Sequence, residues 1–177
     1  MELREFLTDC FTSTCQRVLG AVKELTPTQL HWQPTPDTNH VAFLAFHVFR
    51  VYDRHLHRFL SPQGELWERN KWHLFFTVPS TPSDATVFWS TGRTWTPQEV
   101  AGFRAPLDRL MAYGDSVHQS GLRKLATLDL DNLDHPINFP AERLTPRIVL
   151  QRLCSHPAQH AGQIEYLKGL MVEHRVA

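Results

Sequence analysis

The sequence has little of what marks secreted, membrane-spanning or disulfide-stabilised proteins. Three of the 177 residues are cysteine (Cys10, Cys15 and Cys154), and none has C-x-x-C spacing, so we expect reduced thiols rather than a disulfide framework. No apolar run approaches the roughly 18 residues that a membrane span requires. The first residues carry acids and polar side chains and lack the apolar core of a signal peptide. These absences predict a cytoplasmic protein with no membrane partner.

An excess of positive charge is also missing. Lysine plus arginine and aspartate plus glutamate both number 18, and no basic run stands out along the chain. Proteins that bind nucleic acids usually carry a basic excess or a basic stripe, so we expect no nucleic-acid partner. The composition is that of a globular chain, 42% hydrophobic and 11% aromatic. Its length is that of one ordinary domain, which we place at residues 1–177.

Helical periodicity is present in four segments, and no internal repeat or domain boundary separates them. Cap residues and prolines mark several of the ends; Thr96-Pro97 with Glu99, for example, is a capping box with proline at the first helical position. The predicted helices span about residues 3–25, residues 39–60, a stretch from Thr96 through Val117, and a stretch from Thr145 to about Met171.

Two long connections join these helices. Residues 61–95 contain prolines and glycines but also seven aromatic residues, so we expect the rings to pack over the helices and to shape the mouth of a pocket. Residues 126–144 form a shorter polar crossover. Four helices with two long, partly aromatic crossovers predict an all-α four-helix bundle rather than an α/β fold.

Histidine is the residue type that is unusually frequent, with eleven copies. On the last predicted helix, His156 and His160 lie 40° apart and within the apolar stripe, so each imidazole needs a partner. A metal ion would satisfy both, because residues four apart on a helix bring their rings together. Chance alone gives about 0.7 such pairs at this histidine content, so two hydrogen-bonded core histidines remain the alternative.

Two further features affect this site. Pro157 follows His156 inside the predicted helix, where it removes a backbone donor; either the helix is kinked there, or it begins later, or the proline is a tolerated defect. On the second predicted helix, His47 lies at the edge of the apolar stripe, from which its side chain can enter a cleft between helices. A lone histidine in such a place is more often a surface or hydrogen-bonded residue than a ligand.

Several motifs resemble those of DinB-like proteins. HPAQHAGQIEYLKGL at 156–170 is similar to the H-x-x-x-H-x-G-Q-I signature of their last bundle helix, and NHVAFLAFHVFRVYDRHL at 39–56 resembles their second helix. LTPTQLHWQP at 25–34 and WTPQEV at 95–100 match as well, so the resemblance covers nearly the whole chain. It implies a DinB-type four-helix bundle.

The same resemblance implies a metal triad made of His47, His156 and His160. Three imidazoles leave a coordination position open, as in catalytic sites, and they suit zinc or nickel. DinB-like proteins include transferases and isomerases that use a low-molecular-weight thiol, which is the activity we expect on a small-molecule substrate. A metal-dependent hydrolase and a non-catalytic metal-binding stress-response module are the alternatives. The sequence assigns no catalytic residue, and whether the chain is an enzyme stays open.

Other candidate residues have weaker support. Gln163 shares the histidine face and either orients a ligand or packs between helices. Arg50 and Arg54 lie near the side of His47 and either bind an anionic substrate or form a solvated cationic edge, the more frequent case. Asp53 lies on the opposite side of its helix from His47, so we do not expect it to bind the metal. Finally, apolar residues spread widely around the first helix predict a homodimer, unless the 61–95 connection covers them.

Overall fold

The computed structural model describes residues 2–61, 63–83, 85, 88–139 and 141–177. Within these residues the only β pairings are two isolated bridges, Thr77 with Arg104 and Ile137 with Leu144, and the rest of the regular structure is helical, so the predicted all-α class is confirmed. The α-helices are α1 (Leu3–Val22), α2 (Pro27–Leu30), α3 (Val41–Arg54), α4 (Leu66–Arg69), α5 (Pro97–Gly102), α6 (Leu107–Thr127) and α7 (Pro146–Glu173). A π-helical turn, His55–Phe59, extends α3, and short 3₁₀ turns occur at Trp72–Phe75 and Trp89–Thr91.

The four long helices pack as a bundle. Helices α1 and α3 each contact both α6 and α7, so the four form a closed ring around one core. Every residue of α3 is buried, including its charged ones, because bundle helices cover one side of it and the 61–95 connection covers another. The predicted four-helix bundle is therefore confirmed, with α3 as its most enclosed helix.

The prediction of one continuous third helix is wrong. It is two helices, α5 and α6, which are separated by an extended stretch that begins at Phe103. Pro106 accounts for the break, because it lacks an amide hydrogen and excludes the preceding residue from helical conformation. The capping box at its start is present as predicted: the Glu99 amide donates to the Thr96 hydroxyl at 3.3 Å.

Pro157 does not end a helix. Helix α7 runs without interruption from Pro146 to Glu173, and Pro157 is buried within it. The possibility that the last helix begins after Pro157 is therefore excluded. Since the helix continues, His156 and His160 keep the one-turn separation that brings their rings to the same face.

The aromatic connection packs onto the bundle, as the sequence predicted. Trp67, Phe76 and Trp89 are buried. The Trp67 and Trp95 rings lie 5.4 Å and 5.6 Å from the ring of Phe46 on α3, between centroids. Aromatic pairs at these distances add to the free energy gained by burying their area. The connection is thus part of the core and not a solvated linker.

A buried ion-pair network attaches the connection to α3. Arg50 lies 2.8 Å from Glu65, and Asp53 accepts the backbone amides of Leu66 and Trp67 at 2.8 Å each. These acids and Arg50 are buried. Buried charges are tolerated only when they are paired and hydrogen-bonded, and removing one partner typically costs about 3–5 kcal/mol. The network therefore fixes where the connection starts.

Most of the apolar surplus on α1 is buried within the chain itself. Phe11 and Val18 are in the core, whereas Leu3 and Phe6 are 47% and 43% exposed. The apolar surface that α1 leaves for a second chain is therefore small and lies at the start of this helix. In the described residues, no helix is both long enough and apolar enough to cross a membrane.

Gly114 allows a close approach inside α6, and its replacement should show this. A Cβ at this position would lie 2.6 Å from the ring of Phe49 and 2.9 Å from the side chain of Leu19. We expect Gly114→Ala to lower the free energy of unfolding by about 1–3 kcal/mol through overpacking, although alanine ordinarily stabilises a helix. The matched control is Gly169→Ala on α7, where no neighbour lies within 4 Å; it should stabilise by about 0.4–1 kcal/mol. Denaturant unfolding measures the free energy of unfolding of both variants. Equal changes would contradict the close packing of Phe49 and Leu19 against Gly114.

Candidate metal centre

Three histidines from two helices meet at one point. His47 comes from α3, and His156 and His160 come from successive turns of α7. The Nε2 of His156 lies 3.3 Å from the Nε2 of His47 and 3.2 Å from the Nε2 of His160. Tetrahedral zinc with Zn–N distances of about 2.0–2.1 Å separates its ligand nitrogens by roughly 3.3–3.4 Å. The three side chains implied by the resemblance are therefore brought together at ligand-to-ligand spacing.

Two of the rings are held by hydrogen bonds on their far side. His47 donates from Nδ1 to the carbonyl oxygen of Thr91 at 2.6 Å, and His160 donates from Nδ1 to the amide oxygen of Gln163 at 2.7 Å. A histidine that donates from Nδ1 has its lone pair on Nε2, the atom that points into the cluster. Gln163 therefore orients the ring of His160 within the cluster.

His156 decides whether a cation fits. Its Nε2 faces both neighbours, and its buried Nδ1 has no hydrogen-bond partner among the described residues. Because the Nε2 atoms of His47 and His160 are both unprotonated, a proton on His156 can satisfy only one of them. A divalent cation would accept all three lone pairs, so this donor set fits such an ion.

Burial keeps these imidazoles neutral. It lowers the pKa of His47 to about 3 and that of His156 to about 4, and it lowers the pKa of His160 despite the hydrogen bond to Gln163. Metal ligation requires the unprotonated ring. The cluster is therefore ready to bind a cation at neutral pH without first releasing protons.

The cluster lies in a cavity of about 710 Å³. Its apolar wall comes from α3 and the π-helical turn that extends it, from α5 and from the end of the aromatic connection, so the predicted pocket mouth is confirmed. The ring of Phe43 stacks 6.1 Å from His47 and lies 5.6 Å from Trp95, between centroids. The residues of the apolar wall are Phe43, Val51, Phe59, Phe88, Trp95 and Val100.

Three charged residues of this cavity, Arg93, Glu142 and Arg152, were not predicted from the sequence. Arg152 makes a two-point ion pair with Glu142, with both N–O distances 2.8 Å, and Arg93 lies over the ring of Phe88 at 4.4 Å. Arg152 precedes His156 by four residues, so helical spacing alone would have found it. Arg93 and Glu142 lie in connections, and no sequence pattern places them beside α7.

Arg50 and Arg54 do not form a solvated cationic edge, which was the more frequent of the two alternatives for these residues. Arg50 is fully buried and paired with Asp53 and Glu65, while Arg54 is buried and paired with Glu65. Arg50 also donates to the carbonyl of Ser90, the residue before the carbonyl that holds His47. Both arginines therefore support the site rather than face solvent.

Asp53 lies outside the histidine cluster, as its helical position predicted. Burial alone would raise the pKa of this carboxyl, but the hydrogen bond from His57 and the charge of Arg50 lower it below its ordinary value. Tyr113 also donates to it, at 2.8 Å. Asp53 is therefore an ionised anchor of the α3 network and not a metal ligand.

Removing one histidine should remove the metal. We expect the wild-type protein to bind one divalent ion, and His156→Ala or His160→Ala to abolish stoichiometric binding, because two imidazoles hold zinc far less tightly than three. Metal analysis after gel filtration measures occupancy, and circular dichroism checks that helix content is kept. His135→Ala, at an exposed position, is the matched control. Full occupancy in a folded His156→Ala, His160→Ala double variant would end this assignment.

Buried histidines should also make the metal-free protein sensitive to acid. Burial lowers the folded-state pKa of His40, His55 and His156 to about 4 and that of His47 to about 3, whereas the unfolded chain titrates near 6.5. Below pH 6.5 the unfolded state binds protons that the folded state excludes. The free energy of unfolding therefore decreases as the pH is lowered, by up to about 1.4 kcal/mol per pH unit per histidine. Urea unfolding between pH 7.5 and 5 measures the slope. His55→Leu should reduce this slope, and the exposed His135→Gln should leave it unchanged. If the free energy of unfolding did not change with pH, these histidines would not be buried in their neutral form.

The fold has a counterpart among solved structures. The structure is similar to that of a conserved protein from Enterococcus faecalis with a TM-score of 0.81, and the match covers 98% of this chain and 99% of that chain. The two sequences are 18% identical, a level at which the likeness shows the fold alone. Comparison with curated proteins gave no match.

A family model matches the sequence itself. The model of the DinB superfamily matches residues 11–164, which include α3, the aromatic connection and the part of α7 that carries both histidines. The resemblance noted from the motifs is thereby confirmed over most of the chain. The chain is therefore a member of the DinB superfamily.

Proposed function

We propose that the protein is a metal-dependent transferase or isomerase that uses a low-molecular-weight thiol. One observation carries this proposal: three histidine Nε2 atoms converge in a 710 Å³ cavity that has an aromatic wall. A cluster of three ligands leaves room for a substrate atom, and an aromatic wall suits an apolar electrophile.

Zinc or nickel is the ion that we propose for the cluster. An all-imidazole donor set suits either ion, whereas iron and manganese favour sites with a carboxylate. When bound, such an ion supplies Lewis acidity that favours the thiolate form of a thiol at neutral pH.

The side chains of the cavity would position the two reactants. His47 and His160, held by Thr91 and Gln163, direct their lone pairs to one point, and the ring of Phe43 covers one face of His47. In a transfer, the thiolate sulfur forms a bond to the electrophilic carbon, the leaving group departs with its electron pair, and the thiol proton passes to solvent. The apolar wall excludes water from the electrophile and so favours attack by sulfur.

The thiol would come from outside the chain. Burial raises the pKa of Cys15 to about 12 and that of Cys154 to about 11, so both remain protonated at neutral pH. Neither these cysteines nor Cys10 lines the cavity within the described residues. A protonated thiol is a weak nucleophile, which supports a role for these residues in packing.

Hydrolysis and metal storage are the competing functions. Glu142 is the only carboxylate among the described residues that line the cavity, and Arg152 already occupies both of its oxygens. Attack by water is helped by a general base, and no carboxylate on this wall is free to act as one, which favours the thiol reaction. A large aromatic cavity has no evident use in a module that only sequesters metal, which favours a catalytic role.

We propose a small-molecule substrate and a cytoplasmic location for a single domain that spans residues 1–177. The free cysteines support a reducing compartment. The balanced charge supports the proposal that nucleic acid is not a partner.

Turnover should depend on the metal and on an added thiol. We expect the zinc- or nickel-loaded protein to accelerate the reaction of 2-mercaptoethanol with 1-chloro-2,4-dinitrobenzene, and chelation or His160→Ala to return the rate to the uncatalysed level. A folded variant with all three cysteines replaced by serine or alanine should keep its activity, since none faces the cavity. Loss of activity in that variant would refute the exogenous thiol. Ester turnover without thiol would establish the hydrolase, and bound metal without either reaction would establish the binding module.

A homodimer remains our proposal for the assembly, supported by the exposed Leu3 and Phe6 at the start of α1. Sedimentation at micromolar concentration should give a dimer with and without chelator, because neither Leu3 nor Phe6 lines the cavity that holds the histidine cluster. Phe6→Glu should yield monomers, and Tyr166→Glu, at an exposed apolar position on α7, is the matched control. A wild-type monomer in both conditions would exclude the dimer, and a dimer lost with the metal would move the interface to the site.

A further inference from the structure

Arg93 differs from the other arginines of the cavity in having no acid to pair with. Arg54 is paired with Glu65 at 3.2 Å, and Arg152 is paired with Glu142 at 2.8 Å. Arg93 makes no ion pair within the part of the chain that the structure describes; its contact is the face of Phe88, 4.4 Å from the guanidinium carbon. Arg93 is exposed, and, after the hydrogen bond from Arg152, its charge helps to lower the pKa of Glu142, but no described carboxylate forms an ion pair with it.

The backbone places Arg93 close to the histidine cluster. Thr91, two residues earlier, accepts the hydrogen bond from His47, and two residues span at most about 7 Å of chain. Gly92, between them, has a φ of 83°, a left-handed conformation that turns the chain at this point. Stacking on Phe88 leaves the edge of the guanidinium, with its N–H groups, available to an acceptor.

The charge of the cavity indicates what kind of anion fits. A planar guanidinium edge matches the two oxygens of a carboxylate. The negative charge of Glu142 in the same wall would repel a phosphate dianion more strongly than a carboxylate monoanion. Carboxylate is therefore favoured over phosphate.

We propose that Arg93 binds the carboxylate of an anionic thiol whose sulfur is directed to the three histidines. The proposal rests on the function proposed above and narrows its cosubstrate to thiols that carry a carboxylate. Recognition is then divided within one cavity: the histidine cluster takes the sulfur end and Arg93 takes the charged end, which leaves the apolar wall to the electrophile.

A pair of ligands that differ only in charge tests this division. Calorimetry on the zinc-loaded protein would compare 3-mercaptopropionate with its methyl ester. We expect the acid to bind about tenfold more tightly than the ester, which is the size of a charge-assisted hydrogen-bonded pair. Arg93→Gln should remove this preference by weakening the acid alone, with the affinity for the ester unchanged.

The matched control is Arg109→Gln. Arg109 also lies over an aromatic ring, 4.5 Å from that of Phe75, but it does not line the cavity. We expect this variant to bind both ligands like the wild type. Equal binding of acid and ester to the wild type, no binding of either, an equal loss of both in Arg93→Gln, or the same loss in Arg109→Gln would each overturn the proposal.

A metal-free sample separates this proposal from the one that it rests on. If removing zinc leaves the affinity for 3-mercaptopropionate unchanged while Arg93→Gln still abolishes the preference for the acid, the carboxylate site stands and the metal–thiol function fails. If zinc is needed for tight binding but the acid and the ester bind alike, the metal–thiol function stands and the Arg93 site fails.

Discussion

The histidine cluster depends on the buried ion pairs that hold the aromatic connection against α3. Asp53 accepts the amides of Leu66 and Trp67 where the connection begins, and Arg50 donates to the Ser90 carbonyl where it ends. The next carbonyl along the chain, that of Thr91, accepts the N–H of His47. Helix α3 thus places His47 in the cluster and, through Arg50 about one turn later and Asp53 beyond it, also fixes the loop whose carbonyl orients His47. Buried ion pairs contribute little net stability, but they penalise every arrangement in which a partner is lost, so they specify one position for the loop.

The sequence was sufficient for the features that arise from local periodicity. The four bundle helices and the pairing of His156 with His160 follow from spacing along a helix, and the aromatic content of 61–95 predicted a packed connection. Joining His47 to that pair required the family resemblance, because no local rule states which helix of a bundle lies beside α7. The break at Pro106 was predictable, because a proline excludes the preceding residue from helical conformation. It was not predicted because the helical spacing of apolar residues continues on both sides of Pro106.

What could not be predicted are partners distant along the chain. Arg50 and Asp53, three residues apart on one helix, look like an ordinary surface pair, and their burial depends on Glu65 reaching back to them. The same holds for Thr91, which accepts the hydrogen bond of His47 with its backbone carbonyl. Any residue type offers such a carbonyl, so the sequence does not indicate this role. Electrostatic roles of this kind depend on tertiary position, which composition and periodicity do not contain.

The burial that makes these histidines costly is also what makes them suitable ligands. Removal from water disfavours the protonated ring, so the cluster presents lone pairs and not protons at neutral pH. Those lone pairs face one another across the contact between α3 and α7, where a cation would join the two helices and compensate for the desolvation of all three rings. Metal binding would therefore be coupled to helix packing at this contact. A bundle with apolar residues in these places would pack without an ion, and it would have no open coordination position to offer a substrate.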